Sequence, residues 1–372
     1  MSENLNSLHS KAAEPSALIK KPRMGWLDAL RGFTMLLVVT NHVALKSFGM
    51  QIRWSAALQF FLLFRMPLFF FISGFLAYKA SRIWNGQTLR ELSLKKFKVQ
   101  IIPTVVFFLL YLAMIPSDPF AKSFSDAIAS SMKAGYWFTL VLLYMLLTYY
   151  VFSYVESKLR LSWIAITGLF IISLGFFETC YLPRYFSWGL GHKGPQNEFL
   201  SYTSLVEMMR YFPFFLYGNI VHRYWDKAQK LMDCSWCFPV VTVLAIVCTL
   251  DVIVWHNLRR EWASIPHTLA MFLLLSMVFM FFRYYQDSFS EKTVIGRSLQ
   301  FIGRRTLDIY LLHYFFLPKM TAVGAYFQTN RHNFILDTTA SLAIALVVVG
   351  FCVITSQLLR VSPFFKKYLF GR

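Results

Sequence analysis

Apolar side chains dominate long stretches of this chain, and short polar segments separate them. A helix that crosses the hydrocarbon core of a membrane needs about 20 mostly apolar residues. The runs of Phe, Leu, Ile and Val lack the strict alternation that is typical of membrane-spanning strands. The pattern therefore predicts an all-α, polytopic integral membrane protein with about ten transmembrane helices, at approximately residues 27–46, 57–78, 99–115, 136–155, 161–177, 204–221, 237–255, 266–282, 306–322 and 336–359.

Polar segments flank this apolar region. Residues 1–23 are polar and basic and lack the apolar core of a signal peptide, so we interpret them as a cytoplasmic tail. Residues 24–360 are predicted to form one transmembrane domain, and 361–372 a second cytoplasmic tail. Pro318 interrupts the ninth apolar stretch, so nine spans remain an alternative to ten.

Composition excludes a soluble protein and a disordered one. Hydrophobic residues make up 57% of the chain and charged residues 15%, whereas soluble domains carry about 25% charged residues. The net charge of +19 is compatible with a nucleic-acid partner or with basic loops on one side of a membrane.

The distribution of the charge decides between these interpretations. With the N-terminus inside, the predicted cytoplasmic segments hold 24 of the 37 Lys and Arg residues, and the opposite side holds ten. Such a bias sets the orientation of membrane proteins. We therefore predict that both termini are cytoplasmic and that nucleic acid is not a partner.

Ionisable residues inside predicted spans are functional candidates, because burying a charge in hydrocarbon is costly. Asp28, Arg31 and His42 lie in the first span. Arg31 and His42 are 11 residues apart, which places them on one helix face, roughly 16 Å apart along the axis. Asp28 is close enough in sequence to pair with Arg31. The alternative is an interfacial ion pair and a histidine that reaches the outer surface.

The second span contains a charge near its middle. Arg65 precedes Pro67 by two residues, and Ser73 and Gly74 follow in the same helix. Small residues permit close helix packing, and a proline bends a helix. Helix packing and bending explain Pro67, Ser73 and Gly74. Arg65, however, requires an anion, carbonyl groups or water as its partner.

Two further clusters are candidate binding sites. Lys95, Lys96 and Lys98 lie at the predicted cytoplasmic mouth of the third span, where they could attract anionic lipids or the phosphates of a cytosolic ligand. Tyr310 and His313 are neighbours on one face of the ninth segment. A packing role and a polar role remain open for His313.

The sequence lacks the motifs that mark several common classes of active site. The sequence contains no GxSxG elbow, no phosphate-binding glycine loop and no HExxH site. Cys234 and Cys237 have CxxC spacing without a second pair of ligands, so we predict neither a metal site nor a disulfide framework.

The motifs together resemble those of the membrane-bound acyltransferase-3 family, bacterial enzymes that O-acylate glycans, and most closely its fucose O-acetylase-like branch. That family has an Asp, then an Arg-Gly or Arg-Ala and a His 11 residues after the Arg. Further matches are the segment Phe64–Phe75, a basic run before Pro103, the aromatic segment Phe212–Ile220 and the pattern at Thr306–His313. In the basic run this chain has Lys where the family often has Arg.

The resemblance implies transfer of an acyl group, usually acetyl from cytosolic acetyl-CoA, to a sugar hydroxyl of a cell-surface or lipid-linked glycan. It implies a location in the bacterial inner membrane. His42 would act as general base or form an acyl-histidine, and Arg31, held by Asp28, would orient the donor or stabilise an oxyanion. Arg65 is a second candidate for that role. Lys95, Lys96 and Lys98 would bind the donor phosphates, while Tyr310, His313 and Ser73 would line the site.

Two other functional classes remain open. A transporter or flippase would use the same buried charges without acyl transfer, and a non-catalytic component of a polysaccharide export system would keep the fold alone. The intact Asp28, Arg31 and His42 and the lack of a visible inverted repeat favour the enzyme. Membrane lipids are expected neighbours, and the sequence indicates no oligomeric state, acceptor sugar or acyl chain.

Overall fold

A computed structural model describes residues 24–51, 56–116, 118–159, 163–181, 197–252, 264–329, 334–363 and 365. Within these ranges the chain forms helices and no strands, which confirms the predicted all-α class. The predicted N-terminal tail, most of the C-terminal one and residues 182–196 of the long loop predicted after the fifth span lie outside the described residues.

The helices follow the predicted apolar stretches and add several shorter elements between them. The first eight are α1 Gly25–His42, α2 Ala56–Ala77, α3 Gly86–Lys96, α4 Ile102–Met114, α5 Phe120–Ala129, α6 Trp137–Leu159, α7 Trp163–Tyr181 and α8 Glu198–Thr203. The others are α9 Leu205–Arg223, α10 Trp225–Met232, α11 Cys237–Leu250, α12 Ser264–Tyr284, α13 Val294–Gly303, α14 Thr306–Leu312, α15 Thr321–Thr329 and α16 Phe334–Val361.

Six helical segments of the described chain are long and apolar enough to cross a membrane: α2, the segment from α3 to α4, α6, α7, α12 and α16. Helices α10 and α11 meet at an angle of 83° and would form a seventh span if counted together. The protein is therefore a multi-pass membrane protein. The count of ten spans and the position of the termini stay predictions.

Two regions expected to be loops are helical. A π-helical turn at Phe97–Ile101 joins α3 to α4, so the basic cluster lies on a continuous helix that begins at Gly86. Helix α13 was also expected to be part of a loop, because it is too short to cross a membrane and polar residues flank it. Helix α13 is buried against α1, which is distant in sequence. A search for apolar stretches of about 20 residues does not detect such contacts.

The ninth predicted span is not one helix. Helix α14 ends at Leu312, a 3₁₀ turn covers His313–Phe315, and α15 begins only at Thr321. Pro318 lacks a backbone N–H and disfavours helical geometry in the residue before it. The Met320 N–H donates to the Ser47 carbonyl at 2.8 Å, which ties this break to the π-helical turn Val43–Ser47 that follows α1.

Close helix crossings hold the centre of the molecule together. A Cβ on Gly32 of α1 would lie 2.0 Å from the Leu299 carbonyl oxygen, and a Cβ on Gly303 of α13 would lie 1.8 Å from that of Asp28. Gly74 and Gly218 form an equivalent crossing between α2 and α9. Glycine at these positions lets the backbones touch, so α13 packs directly on α1 and α9 packs directly on α2.

Candidate active site

A cavity of about 480 Å³ opens beside the N-terminal half of α1. Its lining combines apolar side chains of α2 and α6 with one carboxylate, Asp308, and a group of cations: Arg31, Lys79, Arg82, Lys95, Lys96 and Arg304. Asp308 already accepts two hydrogen bonds of 2.7 Å from Arg360 and one from Ser356, so its charge is paired. The cavity is therefore suited to an anionic ligand.

The cavity brings together half of the site residues predicted from the sequence. Arg31, Ser73, Lys95, Lys96 and Tyr310 all line it, although they come from four helices. Lys98 does not line it and is exposed on the helix surface.

Arg31 is held in the N-terminal half of α1. Its Nη1 lies 3.6 Å from Asp28 Oδ1, and its Nη2 donates to the Thr306 hydroxyl at 3.0 Å. Asp28 is buried, whereas the Arg31 side chain keeps 28% of its exposure. The guanidinium is thus oriented by two neighbours and still faces the cavity.

His42 and His313 form a direct pair at the C-terminal end of α1. His42 Nδ1 lies 2.8 Å from His313 Nε2, and the two ring planes differ by 7°. His313 is fully buried, whereas His42 is half-buried. The sequence placed these residues 271 positions apart, and only the fold joins them.

Tyr310 of the cavity lining lies next to the histidine pair, with its ring centroid 6.2 Å from that of His313. Tyr310 lies one helical turn before His313, and its hydroxyl donates to the Gly135 carbonyl at 3.0 Å and accepts from the Phe138 N–H at 3.2 Å. The Tyr314 ring lies 5.1 Å from the His42 ring. A ligand that reached from the cavity to His42 would therefore pass Tyr310.

A strained turn before α6 positions those tyrosines. Lys133, Ala134 and Gly135 all have positive φ angles, of 46°, 52° and 107°. The Lys133 ammonium stabilises this turn by donating to the carbonyls of Ile128 and Ser130 and to that of Ser201, and burial lowers its pKa. Strain of this kind is costly and concentrates at functional sites.

Arg65 lies buried in α2, next to the histidine pair. It interacts electrostatically with His42 and Tyr314, and with Tyr211 of α9. Its Nε and Nη1 have no hydrogen-bond partner among the described residues. A buried guanidinium with unpaired N–H groups is costly, and it can bind an anion that a substrate supplies.

Comparison with known proteins decides the class of this membrane protein. A family model described as an acyltransferase domain, acyltransferase-3, matches residues 24–357. The chain belongs to this family. It is an acyltransferase that transfers groups other than aminoacyl groups, as the arrangement of motifs predicted.

Curated relatives of this acyltransferase are distant but match over nearly their whole length. Proteins named probable poly-beta-1,6-N-acetyl-D-glucosamine export protein from Staphylococcus aureus strains Mu50 and MRSA252 are each 22% identical to it, over 95% of this chain and 97% of the relative. No solved structure matches the chain.

Some cavity residues of the acyltransferase were missed as site residues from the sequence. Lys79, Arg82 and Arg304 were assigned only to membrane orientation, because the positive-inside pattern explains any cytoplasmic cation. Thr306 was recognised only as part of a motif, and it hydrogen-bonds Arg31. A search for cations beside the end of the second predicted span and the start of the ninth could have selected Lys79, Arg82 and Arg304.

Proposed function

We propose that the protein moves an acyl group, most simply acetyl, from a cytosolic acyl-CoA to a sugar hydroxyl of a cell-envelope polysaccharide. The observation that carries the proposal is the basic cavity beside Arg31, which extends to Tyr310, one helical turn from the His42–His313 pair. A donor with phosphates at one end and a thioester at the other matches this arrangement of charges. We place the reaction in the bacterial inner membrane, with the cavity mouth on the cytosolic side.

The cavity residues suit the donor phosphates. Lys95 and Lys96 of α3 line the cavity together with Arg304, so phosphate oxygens bound there could accept charge-assisted hydrogen bonds from these side chains. Arg31 would bind further in, where Asp28 and Thr306 orient it. Arginine offers two parallel N–H groups, which suits a phosphate or a polarised carbonyl.

His42 would then act as the general base. The imidazole takes the proton of the sugar hydroxyl while the hydroxyl oxygen attacks the acyl carbonyl, and it returns that proton to the departing thiolate. Arg65 would stabilise the oxyanion formed in between, through its unpaired N–H groups. An acyl-histidine formed at the same side chain is the alternative route.

The relatives suggest both an acceptor and a competing function. Their printed name contains poly-beta-1,6-N-acetyl-D-glucosamine, so a polymer of N-acetylglucosamine is the first acceptor to test. The same name contains the word export, which supports a transporter or a non-catalytic export component as the second candidate. The half-buried His42 and the two unpaired nitrogen atoms of Arg65 favour chemistry over passage of a polymer.

Mass spectrometry of surface glycans separates the candidates. In a deletion strain, loss of the acyl substituent from an otherwise intact glycan supports the enzyme, and loss of the whole glycan supports export. Complementation with His42→Ala should leave the glycan unacylated at normal protein levels, and Arg31→Lys should strongly reduce donor use. Full acylation by His42→Ala would contradict the proposal.

A further inference from the structure

We infer that His313 is a positioning residue that fixes the tautomer of His42, so that Nε2 of His42 is the nitrogen that takes the acceptor proton. The inference rests on the proposed function and names the reacting atom within it.

The backbone of α14 fixes which nitrogen of His313 carries a proton. His313 Nδ1 lies 3.1 Å from the carbonyl oxygen of Ile309 and 2.9 Å from that of Tyr310. A carbonyl oxygen only accepts hydrogen bonds, so Nδ1 of His313 must carry a proton. Because a neutral imidazole has a single N–H, Nε2 of His313 is then left as an acceptor.

His313 in turn fixes which nitrogen of His42 carries a proton. Nδ1 of His42 lies 2.8 Å from Nε2 of His313. With that Nε2 as acceptor, Nδ1 of His42 must be the donor. The proton of neutral His42 is thereby used, and its Nε2 carries the lone pair. Full burial of His313 favours the neutral ring, since an isolated buried charge is costly.

The surroundings of His42 leave this lone pair accessible. The neighbour of Nε2 is the Tyr314 hydroxyl at 3.4 Å, which is too long for a strong hydrogen bond. His42 is half-buried, and Arg65 is close enough to interact with it. A sugar hydroxyl at Nε2 would thus meet the base, with a cation nearby for the oxyanion.

The chemical role of His313 resembles that of the third member of a catalytic triad, which holds the base in the productive tautomer and orientation. When His42 acts, the O–H bond of the sugar breaks and an Nε2–H bond forms. The His42 imidazolium still donates from Nδ1 to His313. When the thiolate leaves, that proton passes to sulfur and the lone pair on Nε2 is restored.

Two substitutions of His313 test the inference. In His313→Gln the side-chain amide oxygen can accept from His42 Nδ1, whereas His313→Leu removes the acceptor. We expect thiol release from acetyl-CoA, measured with glycan purified from the deletion strain as acceptor, to fall about 10²-fold in kcat for His313→Leu. The KM for acetyl-CoA should change less than about twofold, and His313→Gln should stay within about tenfold of the parent.

A spectroscopic measurement tests the tautomer directly. Magnetic resonance of the full-length protein with ¹⁵N-labelled histidine should give His42 as Nδ1–H with unprotonated Nε2, assigned by the loss of its signals in His42→Gln. A His42 ring protonated at Nε2 would overturn the inference. If His313→Leu does not fold, this measurement on the parent protein decides the question.

The results also separate this inference from the proposed function. Full transfer by His42→Gln would contradict the function itself. Loss of transfer in His42→Gln, together with unchanged kcat in a folded His313→Leu, would leave the function intact and overturn only the role of His313.

Discussion

At the scale of single residues, Arg65 is the clearest conflict between stability and function. Its guanidinium is buried, and two of its nitrogen atoms have no partner among the described residues. Arg210 of α9 is equally buried but forms a 3.0 Å ion pair with Glu207, which also accepts from Ser131. The charge of Arg210 is therefore neutralised within the protein. Arg65 lacks some of its hydrogen-bond partners, which a substrate could provide.

We expect Arg65→Met to lower kcat by about 10²- to 10³-fold, the usual effect of removing an oxyanion-stabilising donor, without lowering the thermal midpoint. The substitution removes a costly, incompletely paired charge. Arg210→Met is the matched control: it should destabilise the protein by about 3–5 kcal/mol, because it leaves Glu207 buried without its guanidinium. Thermal unfolding in detergent measures both. An equal loss of stability in the two variants would show that Arg65 is structural.

At the scale of helices, glycine contacts decide how closely the elements approach. A Cβ on Gly74 would lie 1.8 Å from the Phe215 carbonyl oxygen, and a Cβ on Gly218 would lie 1.9 Å from that of Phe71. Both contacts are with backbone, so no side-chain rotation can relieve them. This crossing also fixes Arg65, because α2 carries it.

We expect Gly74→Ala and Gly218→Ala each to destabilise the protein by about 1–3 kcal/mol, the usual cost of overpacking. Gly350→Ala in α16 is the control, since a Cβ there meets no atom within 4 Å. That substitution should be neutral or stabilising, because alanine favours helices by about 1 kcal/mol over glycine. The midpoint of unfolding in detergent measures each effect, and equal midpoints for all three variants would refute the crossing.

At the scale of the whole molecule, the cavity exists only because distant segments converge. Arg31 comes from α1, Lys95 and Lys96 from α3, and Arg304 from the segment between α13 and α14. These cations line one cavity, so positive charge that is spread along the sequence is concentrated at a single site.

The cavity predicts a difference between neighbouring lysines. Lys95→Ala and Lys96→Ala should each raise the KM for acetyl-CoA about tenfold, because a hydrogen bond to a charged group contributes about 1.5–3 kcal/mol. Lys98→Ala is the matched control and should leave KM unchanged, since Lys98 lies outside the cavity. Equal effects of all three substitutions would indicate a general surface attraction, and that effect would disappear at high salt.

The sequence by itself determined the helical class, the membrane setting, the family and the identity of most candidate residues. Those properties depend on local composition and on spacing along one helix, such as the 11 residues from Arg31 to His42. Only the tertiary structure decided that His42 meets His313, that Lys98 is outside the cavity, that α13 is packed against α1 and that Arg65 has unpaired nitrogens. These facts depend on contacts between segments far apart in the chain, and no local pattern encodes them.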